Sequence, residues 1–353
     1  MMSLEERFSS MQKKGTKPVA AANVPEPKQG ESIFENDEGA PKSFDEYIGQ
    51  AMAKQMLNAA VVSSQTRGVL PDHILLASGI PGVGKSALAR LVSFNLGFPY
   101  IETQGEVDKE QAIGILDKLQ NTNPNGAVWF IDELHQLVTR KKENAEWLLS
   151  LLQDGIILDA NEERKYKNVV IIGATTDKSV LPEAILSRFT WQPPFVEYSN
   201  EEAALIVRQK AGSIFSGLLP ELTDKTASAI ARASASNPRI IKSLSRMVRD
   251  AFLSELVPVN DSGDFDLSVP LQWAGRDANG LTLTARKIYA ALFTSGAISP
   301  RGLGMNNIAG ILHEAVYPRD DEYILMRLGW LTVSQAGRSL TEEGAAAFQE
   351  VGL

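Results

Sequence analysis

No cysteine occurs in the 353 residues. That absence excludes a disulfide scaffold, a thiolate zinc site and a cysteine nucleophile together. Histidine is nearly as scarce, with only His73, His135 and His313, so a histidine-rich metal centre is not expected. No apolar run approaches the roughly 18 residues of a membrane span, and the first residues lack the apolar core of a signal peptide. A soluble, cytoplasmic protein with no membrane partner is therefore expected. Excess positive charge is missing too: 35 Lys and Arg stand against 43 Asp and Glu, a net charge of −8. Proteins that grip nucleic acid with their whole surface are usually basic, so any DNA contact is expected to be local.

What is present is a chain long enough for two or three domains, with a 44% apolar fraction that can supply a core. Residues 1–40 read as a disordered tail: "KKGTKPVAAANVPEPKQGES" is rich in Lys, Pro, Gly, Ala and Ser and has no apolar period. Within it, "IFEND" from Ile33 is a candidate short anchor. From Pro41 the pattern alternates. A helix is expected over about Ala51 to Arg67, a strand in "HILLAS" from His73, and a helix from Lys85 to about Leu96. "AVWFIDE" from Ala127 and "VVIIGAT" from Val169 read as buried strands. Continuous apolar runs alternating with helices predict a parallel sheet covered on both faces, an α/β class. Beyond Tyr198 the strands give way to three helical stretches, Glu201 to Gly212, Thr223 to Ser236 and Pro238 to Leu256. The last part has two helices and then "LMRLGWLTVSQAGRSLT", read as a β-hairpin wing turning at Gln335 to Gly337.

The chemistry centres on "GIPGVGKS", Gly79 to Ser86, which fits G-x-x-x-x-G-K-[ST]. A phosphate loop aims many backbone N–H groups at one polyanion. Gly79, Gly82 and Gly84 permit the turn, with Val83 between them. Lys85 sets a charge on the β and γ phosphates, and Ser86 offers a hydroxyl to Mg²⁺ at a helix start. "VWFIDELH" then delivers Asp132 and Glu133 to the C-terminal end of a strand, the edge where open parallel sheets bind ligands. Asp132 can hold Mg²⁺ and Glu133 can orient or deprotonate an attacking water. In isolation Asp132 is equally a helix cap and Glu133 a solvated acid. Beside a phosphate loop the pair favours hydrolysis over transfer to a bound acceptor. "GATTD" ends another strand, where Thr175 or Thr176 can report the γ-phosphate or serve as a turn residue. Arg188 in "ILSRF" is a candidate arginine finger or a surface ion pair. Arg239 in "SNPRI" opens a helix from which it can touch nucleotide phosphates.

In order and spacing these segments resemble the AAA+ ATPases, and most closely the RuvB family of Holliday junction motors. "PKSFDEYIGQ" resembles the family's leading segment, "FIDELHQL" its Walker B strand, "IGATT" its sensor 1, "LSRF" its finger and "NPRI…RMVRD" its sensor 2 helix. "LTLTARKIYAAL" and "LGWLTVSQAGR" resemble its C-terminal winged helix. The resemblance implies an AAA+ P-loop domain over 41–198, a helical lid over 199–276 and a winged helix over 277–353. It implies ATP and Mg²⁺ as cofactors, with Thr176 as sensor 1, Arg188 acting in trans and Arg239 as sensor 2. Tyr47, Ile48 and Tyr198 would line the adenine pocket, and Arg338 in the wing would meet DNA phosphate. A homo-oligomer, a hexameric ring, would act on branched or duplex DNA in recombination and repair. The departures are Ala40 before Pro41, Ala87 where a second hydroxyl is usual, and Val333 and Ala336 where the wing has arginines. The stretch "IILDANEERKYKNVV" is too short for the whole hairpin that docks RuvA, so that partnership is doubtful and another adaptor is an option. A loader or replication initiator, acting as a DNA-binding switch, is the alternative reading.

Overall fold

The computed structural model describes residues 24–351 apart from positions 36, 38, 141 and 161. The chain divides after Val196 into two compact units. In the first, α1 (Ala51–Arg67) precedes β1 (Ile74–Ala77), the glycine loop, α2 (Lys85–Leu96), β2 (Tyr100–Gln104) and α3 (Lys109–Thr122). Next come β3 (Ala127–Asp132), α4 (Leu134–Arg140), α5 (Lys142–Asp154), the antiparallel hairpin β4 (Ile156–Asp159) and β5 (Glu162–Lys165), β6 (Val169–Thr175) and the short α6 (Glu183–Leu186). Strands β1, β6, β3 and β2 form a parallel sheet in that order. The α/β expectation holds.

The sheet is covered on both faces because its central strands are apolar up to their last residues, Asp132 and Thr175. In β3, Ala127, Trp129 and Ile131 join one core cluster, while Val128 and Phe130 join the other. That period of two is strand geometry. Full burial of side chains of this size contributes about 1.5–3 kcal/mol each. Trp129 adds a hydrogen bond from Nε1 to Thr103 Oγ1 (2.9 Å) and stacks on Trp147. The sheet ends with three strand termini along one edge: Asp132 of β3, Thr175 of β6 and the loop that leaves β1.

The expected tail over 1–40 needs correction where it is described; residues 1–23 lie outside the described residues. Lys28 pairs with Tyr100 by two backbone hydrogen bonds, 2.9 and 2.8 Å, on the open side of the edge strand β2. Lys118 Nζ donates to the Val24 carbonyl and to Glu26. A 3-10 helix, Gly30–Phe34, buries Ile33 and Phe34, the latter against Phe94. Composition pointed to disorder because Pro and Lys dominate. Yet two apolar side chains and a free strand edge suffice to bind the segment, and "IFEND" is its anchor. On the opposite edge, Trp191 pairs with β1 at Ile74.

The second unit contains α7 (Asn200–Phe215), α8 (Asp224–Ala233), α9 (Pro238–Leu253) and α10 (Ser268–Trp273). It continues with α11 (Leu283–Thr294), α12 (Met305–Leu312), α13 (Arg319–Arg327), the hairpin β7 (Leu331–Ser334) and β8 (Gly337–Leu340), and α14 (Glu342–Val351). Helices α7 to α9 begin at side-chain caps from Ser199, Thr223 and Asn237. The C-terminal helices and hairpin share one core around Ile288, Tyr289, Leu325 and Leu340. Three helices followed by a two-stranded wing match the expected winged-helix pattern.

Candidate active site

The glycine loop joins β1 to α2. Gly82 and Gly84 have φ of 71° and 101°, a region in which a Cβ is strained. Gly84 caps α2 without any side-chain hydrogen bond. The first N–H groups of the helix are thus directed at a ligand rather than consumed by a cap. Val83 is buried and Ala87 packs against the core, so the loop is pinned from beneath. Lys85 is only 8% exposed, and its Nζ donates to the Ser78 carbonyl at 3.3 Å. Ser86 is half-buried and Gly79 exposed. Tyr47 is buried and its hydroxyl donates to the Gly84 carbonyl (3.3 Å), so the expected adenine-side tyrosine leans on the loop itself. Ile48 is half-buried next to it.

Asp132 ends β3. Its Oδ1 accepts the N–H of Glu133 at 3.0 Å. Burial holds its carboxyl above the usual carboxylate range, the neighbouring Glu133 adds to this, and Lys85 opposes it. A half-buried carboxylate in that condition favours an added cation. Glu133 has φ of 51°, unusual for a residue with a side chain. This turn aims its carboxylate along the sheet edge toward β6. There, Thr176 donates to Glu133 Oε2 from its hydroxyl (2.9 Å) and from its backbone N–H (3.4 Å). Of the two candidate threonines, Thr176 therefore touches the acid, while Thr175 is fully buried and bonded to Asp177.

Three contributors went unassigned from sequence. His135 Nδ1 lies 3.2 Å from Glu133 Oε2 and 3.1 Å from Thr175 Oγ1. Gly105 follows β2, and a Cβ there would sit 2.2 Å from the Glu133 carbonyl. Gln50 is buried, and its amide both donates to the Val196 carbonyl (2.7 Å) and accepts the Val196 N–H (3.1 Å). His135 and Gln50 stand inside quoted motifs and could have been suspected. Gly105 has no local signal, since its constraint comes from a turn 28 residues later.

The remaining expected residues fall elsewhere. Arg188 follows α6 and is exposed, with Nη2 donating to Gln153 (2.9 Å). In the second unit Arg239 is exposed in the first turn of α9. Tyr198 is buried, its carbonyl accepting from Arg327 (3.0 Å). Arg338, expected at DNA phosphate, is engaged within its own unit. Its guanidinium is bidentate to the buried Glu322, 3.0 Å from Nε and 3.2 Å from Nη2, and stacks over Tyr317.

A strand, a phosphate loop and a helix beside an Asp-Glu strand end and a sensor threonine define a P-loop ATPase of the AAA+ class. Residues 40–193 match the family described as the Holliday junction DNA helicase RuvB P-loop domain. The Holliday junction branch migration complex subunit RuvB of Thermobifida fusca is 29% identical over 318 residues, 87% of this chain and 86% of its own. That of Corynebacterium jeikeium is 29% identical over 323 residues, 89% and 86% of the two chains. The solved structure of Thermotoga maritima RuvB, a Holliday junction branch migration motor, is 27% identical, with TM-score 0.67 over 89% of this chain and 98% of that one. A RuvB point mutant reaches 0.70 with the same coverage. The chain thus has the P-loop ATPase site of the AAA+ class and is similar to RuvB along most of its length.

Proposed function

We propose that this chain is a ring-forming motor that uses ATP hydrolysis to move branched duplex DNA, as RuvB relatives do at Holliday junctions. The observation that carries the hydrolytic part is the bond of Glu133 to Thr176, which ties an acid to a residue placed to sense the γ-phosphate. Lys85 and the uncapped start of α2 receive the phosphates. Ser86 and Asp132 supply hard oxygen ligands of the kind Mg²⁺ takes alongside phosphate oxygens. No group of three or more His, Asp or Glu able to hold a metal occurs among the described residues, which suits an ion brought in with the nucleotide. When bound, Mg²⁺ would neutralise charge developing on the phosphates. Glu133 would orient and deprotonate water. Arg188, exposed and held only by an amide, is available to complete a neighbour's site in trans, and Arg239 to couple the helical unit to nucleotide state.

For the DNA step, the long co-linear similarity to RuvB supports the reading. Arg338 is held by Glu322, so other residues would share in any phosphate contact it makes. No helix among the described residues is long and apolar enough to cross a membrane. The reading is tested by measuring ATP turnover of the full chain with four-way junctions, linear duplex or no DNA. Stimulation by junctions above duplex is expected. Equal, unstimulated turnover with all three would overturn the motor reading and leave a loader or switch. In the same assay Arg188→Ala should retain ATP binding and lose roughly 10³-fold in turnover.

A further inference from the structure

We propose that His135 is the positioning residue for Glu133, the group that holds this acid in place when the γ-phosphate has claimed the sensor threonine. The inference rests on the reading of Glu133 as the base.

Hydrogen-bond accounting fixes the proton on His135. The Thr175 hydroxyl has one proton, and it is donated to the Asp177 carbonyl (3.0 Å). The same oxygen accepts the Asp177 N–H (3.1 Å). Toward His135, Thr175 Oγ1 is therefore an acceptor. The other neighbour of Nδ1, Glu133 Oε2, is a carboxylate oxygen and also accepts. A bare ring nitrogen facing two acceptors would be repelled by both. Nδ1 consequently carries its hydrogen, which is bonded to Thr175 with the Glu133 carboxylate 3.2 Å from the same nitrogen.

Glu133 Oε2 thus accepts from the Thr176 hydroxyl and the Thr176 N–H, with His135 Nδ1 3.2 Å away. No protein partner lies on Oε1 among the described residues, which leaves that oxygen for water. The Thr176 hydroxyl also has a single proton. Given to a γ-phosphate, it is no longer available to Glu133. The strained backbone of Glu133, φ 51°, does not by itself fix the side-chain rotamer. His135 Nδ1, 3.2 Å away, is then the side-chain N–H left beside Oε2 to take up the vacated acceptor. Its ring is locked by Thr175, which is fully buried at the end of β6. The acid is thereby referenced to the same strand that carries the sensor.

The test uses the full chain with saturating DNA and three substitutions. Asn places an amide nitrogen near the position of Nδ1, Gln extends it beyond, and Ala removes it. His135→Ala and His135→Gln should lower kcat roughly 10- to 100-fold with KM for ATP unchanged, the scale of losing alignment by about an ångström. His135→Asn should recover most of the turnover. Equal losses for Asn and Gln, full turnover in Ala, or a rise in KM matching the loss would overturn the proposal. If Ala fails to fold, as read by its melting midpoint, the Asn and Gln pair decides. Glu133→Gln serves as the control. Normal hydrolysis in that variant would defeat the base assignment itself, whereas an inactive Glu133→Gln beside a fully active His135→Ala would defeat only the positioning role.

Discussion

Two partly buried glutamates, one in each unit, show how similar groups are put to different ends. Glu133 has its protein donors on one oxygen and, among the described residues, none on the other. Glu322 has both oxygens engaged: Oε2 accepts from Arg338 Nε (3.0 Å) and the Tyr317 hydroxyl (2.6 Å), and Oε1 from Arg338 Nη2 (3.2 Å). Burial, together with the Glu322 carboxylate, pushes the Tyr317 hydroxyl well above its ordinary range. The first arrangement positions a carboxylate for a reaction. The second closes a charge inside a core, where it fixes the wing hairpin to α13. Charge type does not distinguish them; the vacant oxygen does.

The largest expected effect sharpens the first half of this contrast. Gly105→Ala would drive a Cβ into the Glu133 carbonyl and shift the turn that aims the acid. Turnover should fall by about 100-fold, with nucleotide binding retained, as read by fluorescent-ATP titration beside steady-state ATPase. Unchanged turnover would mean that the turn relaxes without moving the carboxylate. On the second glutamate, Glu322→Ala leaves a partly buried arginine without its carboxylate and should destabilise the C-terminal unit by about 3 kcal/mol. Basal ATP turnover below the melting temperature should be unaffected. A loss of turnover without loss of stability would break the comparison.

A smaller effect separates the two units by pH. His73 Nδ1 accepts the Ile171 N–H (3.0 Å) between β1 and β6. Burial lowers its pKa from 6.5 to about 4, against the opposing pull of Asp72 and the Leu152 carbonyl. The folded state therefore prefers the neutral ring, while the unfolded chain binds a proton as pH drops below 6.5. Stability from this group is complete above that value and is lost as pH falls toward 4, about 3 kcal/mol in all. Hydrogen exchange at pH 5 and pH 7.5 should show weaker protection of β1 and β6 in acid. His73→Gln should flatten the difference, and an equal acid loss in that variant would rule out the assignment.

Much of the first unit was legible because β1, β3 and β6 are apolar along most of their length and the ligand groups sit at fixed places at their ends. "VWFID" announces both a buried strand and the edge where its aspartate must emerge. The phosphate loop carries its own backbone requirements in Gly82 and Gly84. What was not legible depends on pairing across the fold. The sequence places Arg338 in a wing, yet only the fold brings Glu322 beneath it, 16 positions earlier. Gly105 reads as an ordinary turn residue until the Glu133 turn closes over it. The segment at Lys28 looks like a spacer because nothing in its own letters names the edge strand that receives it.

That edge pairing has a consequence for how the chain comes into being. Lys28 meets Tyr100 only after about 70 further residues have been made, and domains form as units during N-to-C synthesis. Until β2 emerges, the strap has no docking place; until the strap docks, β2 offers an unpaired row of backbone groups to other chains. The first described residues of the protein thus wait for β2 before they find their place in its first unit, and a trimmed chain beginning at Pro41 would carry that exposed edge throughout its life.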